Sequence, residues 1–141
     1  TNDLERIGDE AVKIGRQAIS LTEAGAQEEA GARVRDIAGQ VNAMLKEALD
    51  SFARLQVNAA AALILRDDDI DEAYVAAKDW LTAEIHAKPE ALEVSLAYLG
   101  ILKSLERVGD HSANIAEQVI FLTSGVDVRH LDALAVRDLV S

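Results

Sequence analysis

The sequence predicts an all-α protein, an antiparallel three-helix bundle repeat preceded by one helix from another, incomplete repeat. Three observations carry this. Half of the 141 residues are hydrophobic, yet only 4% are aromatic and one is Pro, a balance rich in Ala and Leu that favours helices over sheets. Apolar residues recur at alternating spacings of three and four over long stretches. Finally, Leu4-Glu5-Arg6-Ile7-Gly8-Asp9 returns as Leu105-Glu106-Arg107-Val108-Gly109-Asp110, with Ile14, Gln17 and Ile19 matched by Ile115, Gln118 and Ile120, the mark of a duplicated unit.

The first helix carries Leu4, Ile7, Ala11, Ile14, Ala18 and Leu21 as one stripe, and Gly25 is its stop. Residues 1–22 therefore read as the closing helix of an N-terminal repeat whose other helices are missing. The complete repeat spans 26–123, with helices at about 32–65, 68–87 and 90–123. Val34, Ala38, Val41, Leu45, Ala48, Phe52, Leu55 and Ala59 keep a strict heptad through the first of these, which at ~1.5 Å per residue would be about 50 Å long. Asp67-Asp68-Asp69 reads as the start of the next, where negative charge suits the helix dipole and an Asp can cap free N–H groups. Ile70, Tyr74, Ala77, Leu81 and Ile85 point it inward. Pro89 opens the last helix, with Glu90 and Glu93 in its first turn. Its stripe is Val94, Ile101, Leu105, Val108, Ile115, Val119 and Leu122, and Gly125 closes it. The tail, 124–141, holds at most a short helix around Leu131, Leu134 and Leu139. Short connections make the three helices of the complete repeat an up-down-up unit.

Composition narrows the function. A net charge of −11, from 25 acidic against 14 basic residues, disfavours nucleic acid and anionic lipid as partners. No apolar run approaches the roughly 18 residues that span a bilayer, so no direct membrane insertion is expected. The absence of Cys removes thiolate metal sites and disulfides, and the cytoplasm is the expected location. The uncovered stripe of the first helix predicts an association surface and a homo-oligomer.

The carboxylates carry the chemistry. Glu106, Asp110 and Glu117 fall in a narrow sector roughly opposite the apolar stripe of their helix, an outer face. Asp67 and Asp71 repeat the i, i+4 spacing on the preceding helix. A regular hairpin turning near Lys88 and Pro89 sets Asp67 level with Asp110 and Asp71 level with Glu106, so that four carboxylates meet. Ionised and unpaired they would repel and raise one another's pKa, a conflict that a multivalent cation relieves. All-oxygen ligation suits Mg²⁺, Mn²⁺ or Ca²⁺, and carboxylate-rich bundles also hold iron. The competing reading is a solvated acidic face. Gly8 and Gly109, each costing about 0.5–1 kcal/mol inside a helix, point to a close helix crossing. Arg6 and Arg107 lie about a quarter turn off the acidic face and read as partners of a neighbouring acid. His86, His111 and His130 read as surface polar residues, with His111 placed to flank the acidic face. Trp80 and Tyr74 read as core or groove-lining residues. There is no Glu-x-x-His, which a ferritin-like di-iron oxidase would need twice, no Gly-rich phosphate loop and no nucleophile signature.

At these residues the chain resembles the PhoU family of bacterial phosphate-signalling regulators. The likeness rests on Leu105 through Glu117, its weaker partner around Glu5 and Asp9, the run Arg66-Asp67-Asp68-Asp69-Ile70-Asp71, and the ending Gly125-Val126-Asp127-Val128-Arg129-His130. The resemblance implies two three-helix repeats with surface metal sites, whose ligands here would be Glu106, Asp110, Asp67 and Asp71, and in the other repeat Glu5 and Asp9. Around Asp9 the chain departs from its second copy, with Glu10 and Lys13 in place of His111 and Asn114. The metal would be a divalent or iron ion (Mg, Mn, Zn or Fe). The resemblance further implies a negative regulator of phosphate uptake and of the starvation response, partnered by the ATPase subunit of a phosphate ABC transporter and by a sensor histidine kinase, and not an enzyme. The alternatives are a carboxylate-bridged metalloenzyme on a helical bundle and a purely structural helical module.

Overall fold

The structure, a computed structural model, describes residues 2–125. Its helices are α1 (Asn2–Ala24), α2 (Glu28–Arg54), α3 (Val57–Ala87) and α4 (Leu92–Ser124), with a 3₁₀ turn at Pro89–Ala91 leading into α4. The tail helix expected around Leu131, Leu134 and Leu139 lies outside the described residues.

The glycine stops stand where the sequence places them. Gly25 and Gly125 take left-handed φ values of 93° and 73°, and their N–H groups donate to Leu21 O and Phe121 O, closing α1 and α4.

The α2–α3 connection is a correction. The second helix ends at Arg54, not near residue 65, and α3 begins ten residues before the acidic run, so Asp67 and Asp71 lie inside α3 rather than at its capped start. The turn carries neither Gly nor Pro. Leu55 itself takes φ 52°, and the chain closes as a Schellman motif, Gln56 N–H donating to Ser51 O and Leu55 N–H to Phe52 O. A left-handed Leu costs on the order of 1 kcal/mol. Because the apolar heptad runs on through Phe52, Leu55 and Ala59, periodicity hides the break. Both Phe52 and Leu55 are exposed, and Ile37, Met44 and Ser51, which lie outside the expected stripe, are buried in the core face of α2 instead.

Helices α2, α3 and α4 form the up-down-up bundle around Met44, Leu63, Leu81, Leu102 and Ile120, all fully buried. Cross-helix contacts fix the register. Arg66 pairs with Glu47, Arg33 lies over the Trp80 ring at 4.7 Å, and the Tyr98 hydroxyl accepts from Gln27 N–H at 3.0 Å and donates to Gln27 O at 2.9 Å.

Among the described residues, helix α1 packs on α4 alone, antiparallel to it. Asp3 meets His111 and Gln118, Glu10 meets Arg107, and the Gln17 side chain lies on Gly100, where a Cβ would stand 3.0 Å from Gln17 Nε2. Flanked on both sides, α4 is buried over most of its surface, including Ser95, Ser104 and Ser112, and keeps one exposed stripe through Lys103, Arg107, Asp110, Asn114 and Gln118. Ile7 and Ile14 pack against the core from α1, but Leu4, Val12 and Ile19 stay exposed, although their repeat counterparts Leu105, Ala113 and Ile120 are buried. The outer side of α1 thus carries the pattern of a covered helix without its cover.

Candidate metal centre

Asp67 and Asp71 sit one turn apart on α3, and α4 runs back beside them from the Pro89 turn. The hairpin brings Asp110 level with them, and one carboxylate oxygen from each of Asp67, Asp71 and Asp110 lies within 4.8 Å of the others. Asp67 Oδ1 is buried and has no hydrogen-bond partner. It lies over Gly109, where a Cβ would stand 3.5 Å away, at ordinary van der Waals contact. The cluster occupies the α3–α4 seam. The expected outer face of α4 is present as a narrow exposed stripe through Lys103, Arg107, Asp110 and Asn114, with Glu106 and Glu117 half-buried at its edge.

The electrostatics follow from this placement. Burial, reinforced by the charges of Asp71, Asp110, Asp68 and Glu106, pushes the Asp67 carboxyl up to about 7. Burial, then Asp71 and Glu106, raises Asp110 to about 6 against the opposing charges of His111 and Lys103. Asp71 is raised as well, by burial and by Glu106 and Asp68. At neutral pH the three groups cannot all hold their charges comfortably without a proton or a cation between them.

Glu106 does not join the trio. Its Oε1 accepts from Lys103 Nζ at 2.8 Å, and the same ammonium lies 5.8 Å from the centroid of the Tyr74 ring on α3. The hairpin register is as expected, but the expected meeting of four carboxylates becomes three, because a lysine one turn before Glu106 draws it along its own helix. Glu5 and Asp9 are exposed on α1, and among the described residues they join no cluster of three possible ligands.

Other motif residues serve the α1–α4 junction. His111 Nδ1 lies 2.9 Å from Asp3 Oδ1, with Gln118 and Asn114 donating to the same carboxylate at 3.1 and 3.5 Å. Arg107 finds its expected acid in Glu10, a buried carboxylate that also accepts from Lys13 at 3.1 Å. Burial alone would raise Glu10, but hydrogen bonds from Lys13, Ser104 and Arg107, with the charge of Lys13, hold it below the usual carboxylate range. The roles of Glu10, Lys103 and Asp3 are not visible in the sequence. The first shows only as the point where the two motif copies diverge, and the others carry no local signal.

Residues 34–119 match the family of the PhoU domain. The chain is 43% identical over 138 residues to a phosphate-specific transport system accessory protein PhoU homolog of Pseudomonas aeruginosa, covering 98% of this chain and 57% of that one. The crystal structure of PhoU from the same organism superposes with a TM-score of 0.86 at 44% identity, over 88% of this chain and 59% of that chain. The phosphate transport system regulatory protein PhoU of Streptococcus pneumoniae superposes with a TM-score of 0.81 at 29% identity, over 90% and 59%. The chain therefore spans somewhat more than half the length of these relatives.

Proposed function

The chain belongs to the PhoU family, and we propose that it is a metal-dependent regulatory adaptor of phosphate transport, holding uptake and the starvation response down through contacts with a phosphate ABC transporter's ATPase subunit and a sensor histidine kinase. These contacts put its place of action in the cytoplasm. The kinship with phosphate transport accessory and regulatory proteins supports the system it serves. The observation that carries the metal part is the convergence of Asp67, Asp71 and Asp110 with an unpartnered, buried Asp67 oxygen.

The donor set fits a hard multivalent cation. Three carboxylate oxygens come from two helices, with no sulfur or imidazole among them. Asp67, Asp71 and Asp110 would hold the ion, whether Mg, Mn, Zn or Fe. When bound it supplies positive charge that replaces the protons on these groups and ties α3 to α4. Asp67, the most buried of the three, fixes the depth of the site. Asp110, at the rim, faces the surface a partner would touch. Glu5 and Asp9 would serve a second site of the same kind, completed by acids from helices that cover α1. The role is regulatory and not enzymatic, the cation shaping a docking surface.

Direct binding tests this reading. The purified ATPase subunit and the kinase's cytoplasmic portion are immobilised in turn, and binding of the chain is measured with Mn²⁺ and with EDTA. Metal-dependent binding that Asp110→Asn weakens supports the adaptor. Hydrolytic or redox turnover requiring Asp67 and Asp110 would instead favour a metalloenzyme.

A further inference from the structure

Among the described residues, Lys103 is the cation hydrogen-bonded to Glu106, a carboxylate that flanks the cluster. It is half exposed, whereas the Glu106 carboxylate that it holds is mostly covered. Glu106 lies near enough to all three aspartates to raise their pKa values. A carboxylate drawn to its own-helix lysine therefore stands beside a group of acids short of positive charge. The lysine also has a second resting place, since its ammonium lies over the face of Tyr74, one turn beyond Asp71. Releasing Glu106 would not strand it.

We propose that Lys103 is a built-in competitor for the cation, keeping Glu106 out of the Asp67–Asp71–Asp110 cluster and yielding it as a fourth carboxylate only to a multivalent ion. This rests on the metal reading above. Lys103 is then a positioning residue that lowers the affinity of the site and discriminates against weakly binding ions. A bound cation must outbid an ammonium already in place, and a monovalent ion gains too little from one more carboxylate to do so.

A double-mutant cycle read by Mn²⁺ binding tests it, with thermal melts confirming that each variant is folded. The proteins are the wild type, Lys103→Met, Glu106→Gln and the double variant, with Lys103→Arg as the conservative control. A surface ion pair of ordinary strength predicts that Lys103→Met tightens Mn²⁺ binding roughly fivefold. Lys103→Arg should stay near the wild type, and Lys103→Met should have almost no effect once Glu106 is Gln. An equal gain in the Glu106→Gln background would show that Lys103 acts only as a remote charge and overturns the proposal, as would no gain from Lys103→Met. If the wild type binds no Mn²⁺, the metal reading itself falls and this inference with it. Mn²⁺ binding that is normal but indifferent to Lys103 removes this inference alone.

Discussion

Gly109 of α4 stands directly under the carboxylate of Asp67 on α3, with room for a Cβ 3.5 Å from Oδ1 and 3.8 Å from Ile70 Cγ2. A methyl here would make only ordinary contacts, so Ala fits, and the juxtaposition sets a size limit rather than requiring glycine. Gly109→Ala should fold with unchanged or slightly higher stability, because the added methyl makes ordinary contacts and Ala gains up to about 1 kcal/mol of helix propensity. Gly109→Val should displace Asp67 and weaken Mn²⁺ binding while costing roughly 1–3 kcal/mol from overpacking. Thermal melts and metal titrations on both variants check the pair, and a Gly109→Val protein with wild-type metal affinity would count against the packing argument.

The raised carboxyls make the metal-free protein sensitive to pH in a defined direction. Asp67 and Asp110, at about 7 and about 6, hold protons in the folded state at pH values where the unfolded chain has lost them. Their contribution is fully present below the ordinary Asp pKa and is lost as pH rises through about 6 to 7. Stability in EDTA should therefore fall from mildly acidic to neutral pH, by on the order of 2 kcal/mol after discounting for solvent screening. Mn²⁺ should restore it on the alkaline side. Denaturant midpoints across this range measure the effect, and Asp67→Asn should flatten the curve.

Glu10 behaves oppositely. Held below the usual range by Lys13, Ser104 and Arg107, it stabilises the α1–α4 junction above the ordinary Glu pKa, and that contribution is lost as pH falls. Removing it leaves Arg107 and Lys13, both about half exposed, without their shared partner. Glu10→Ala should cost roughly 1 kcal/mol and speed hydrogen exchange in α1 more than in α2 or α3. Uniform acceleration in all helices would argue against a local role.

How much of this was legible in the sequence varies with the kind of signal. The stops at Gly25 and Gly125 could be read because a left-handed residue favours Gly. The α2–α3 turn could not, since Leu55 takes that conformation amid unbroken apolar periodicity. The pairing of Asp67 and Asp71 with the α4 motif followed from spacing about Pro89 alone, so it survived the misplaced helix start. The fate of Glu106 did not follow, because an i, i+3 lysine competes with a cluster on another helix and spacing does not say which wins. The role of α4 as the helix that touches all the others was likewise hidden, since nothing in the sequence marks its small polar residues Ser95, Ser104 and Ser112 as buried.

The outer side of α1 gives a prediction about assembly. Leu4, Val12 and Ile19 are exposed where their counterparts Leu105, Ala113 and Ile120 are buried. In solution the chain should self-associate through this stripe in a concentration-dependent way. Val12→Glu with Ile19→Glu should shift it toward monomer without unfolding it, as read by light scattering and circular dichroism. A wild-type chain that stays monomeric at high concentration would contradict this.

The central claim is that Asp67, Asp71 and Asp110 form a cation site across the α3–α4 seam. Its most direct test is calorimetric titration of Mn²⁺ into the chain slightly below neutral pH, where Asp67 still holds much of its proton, beside an Asp67→Asn, Asp110→Asn variant whose fold is verified. Saturable binding with proton release is expected in the wild type, and at least roughly tenfold weaker binding in the variant. Identical isotherms for the two proteins would contradict it.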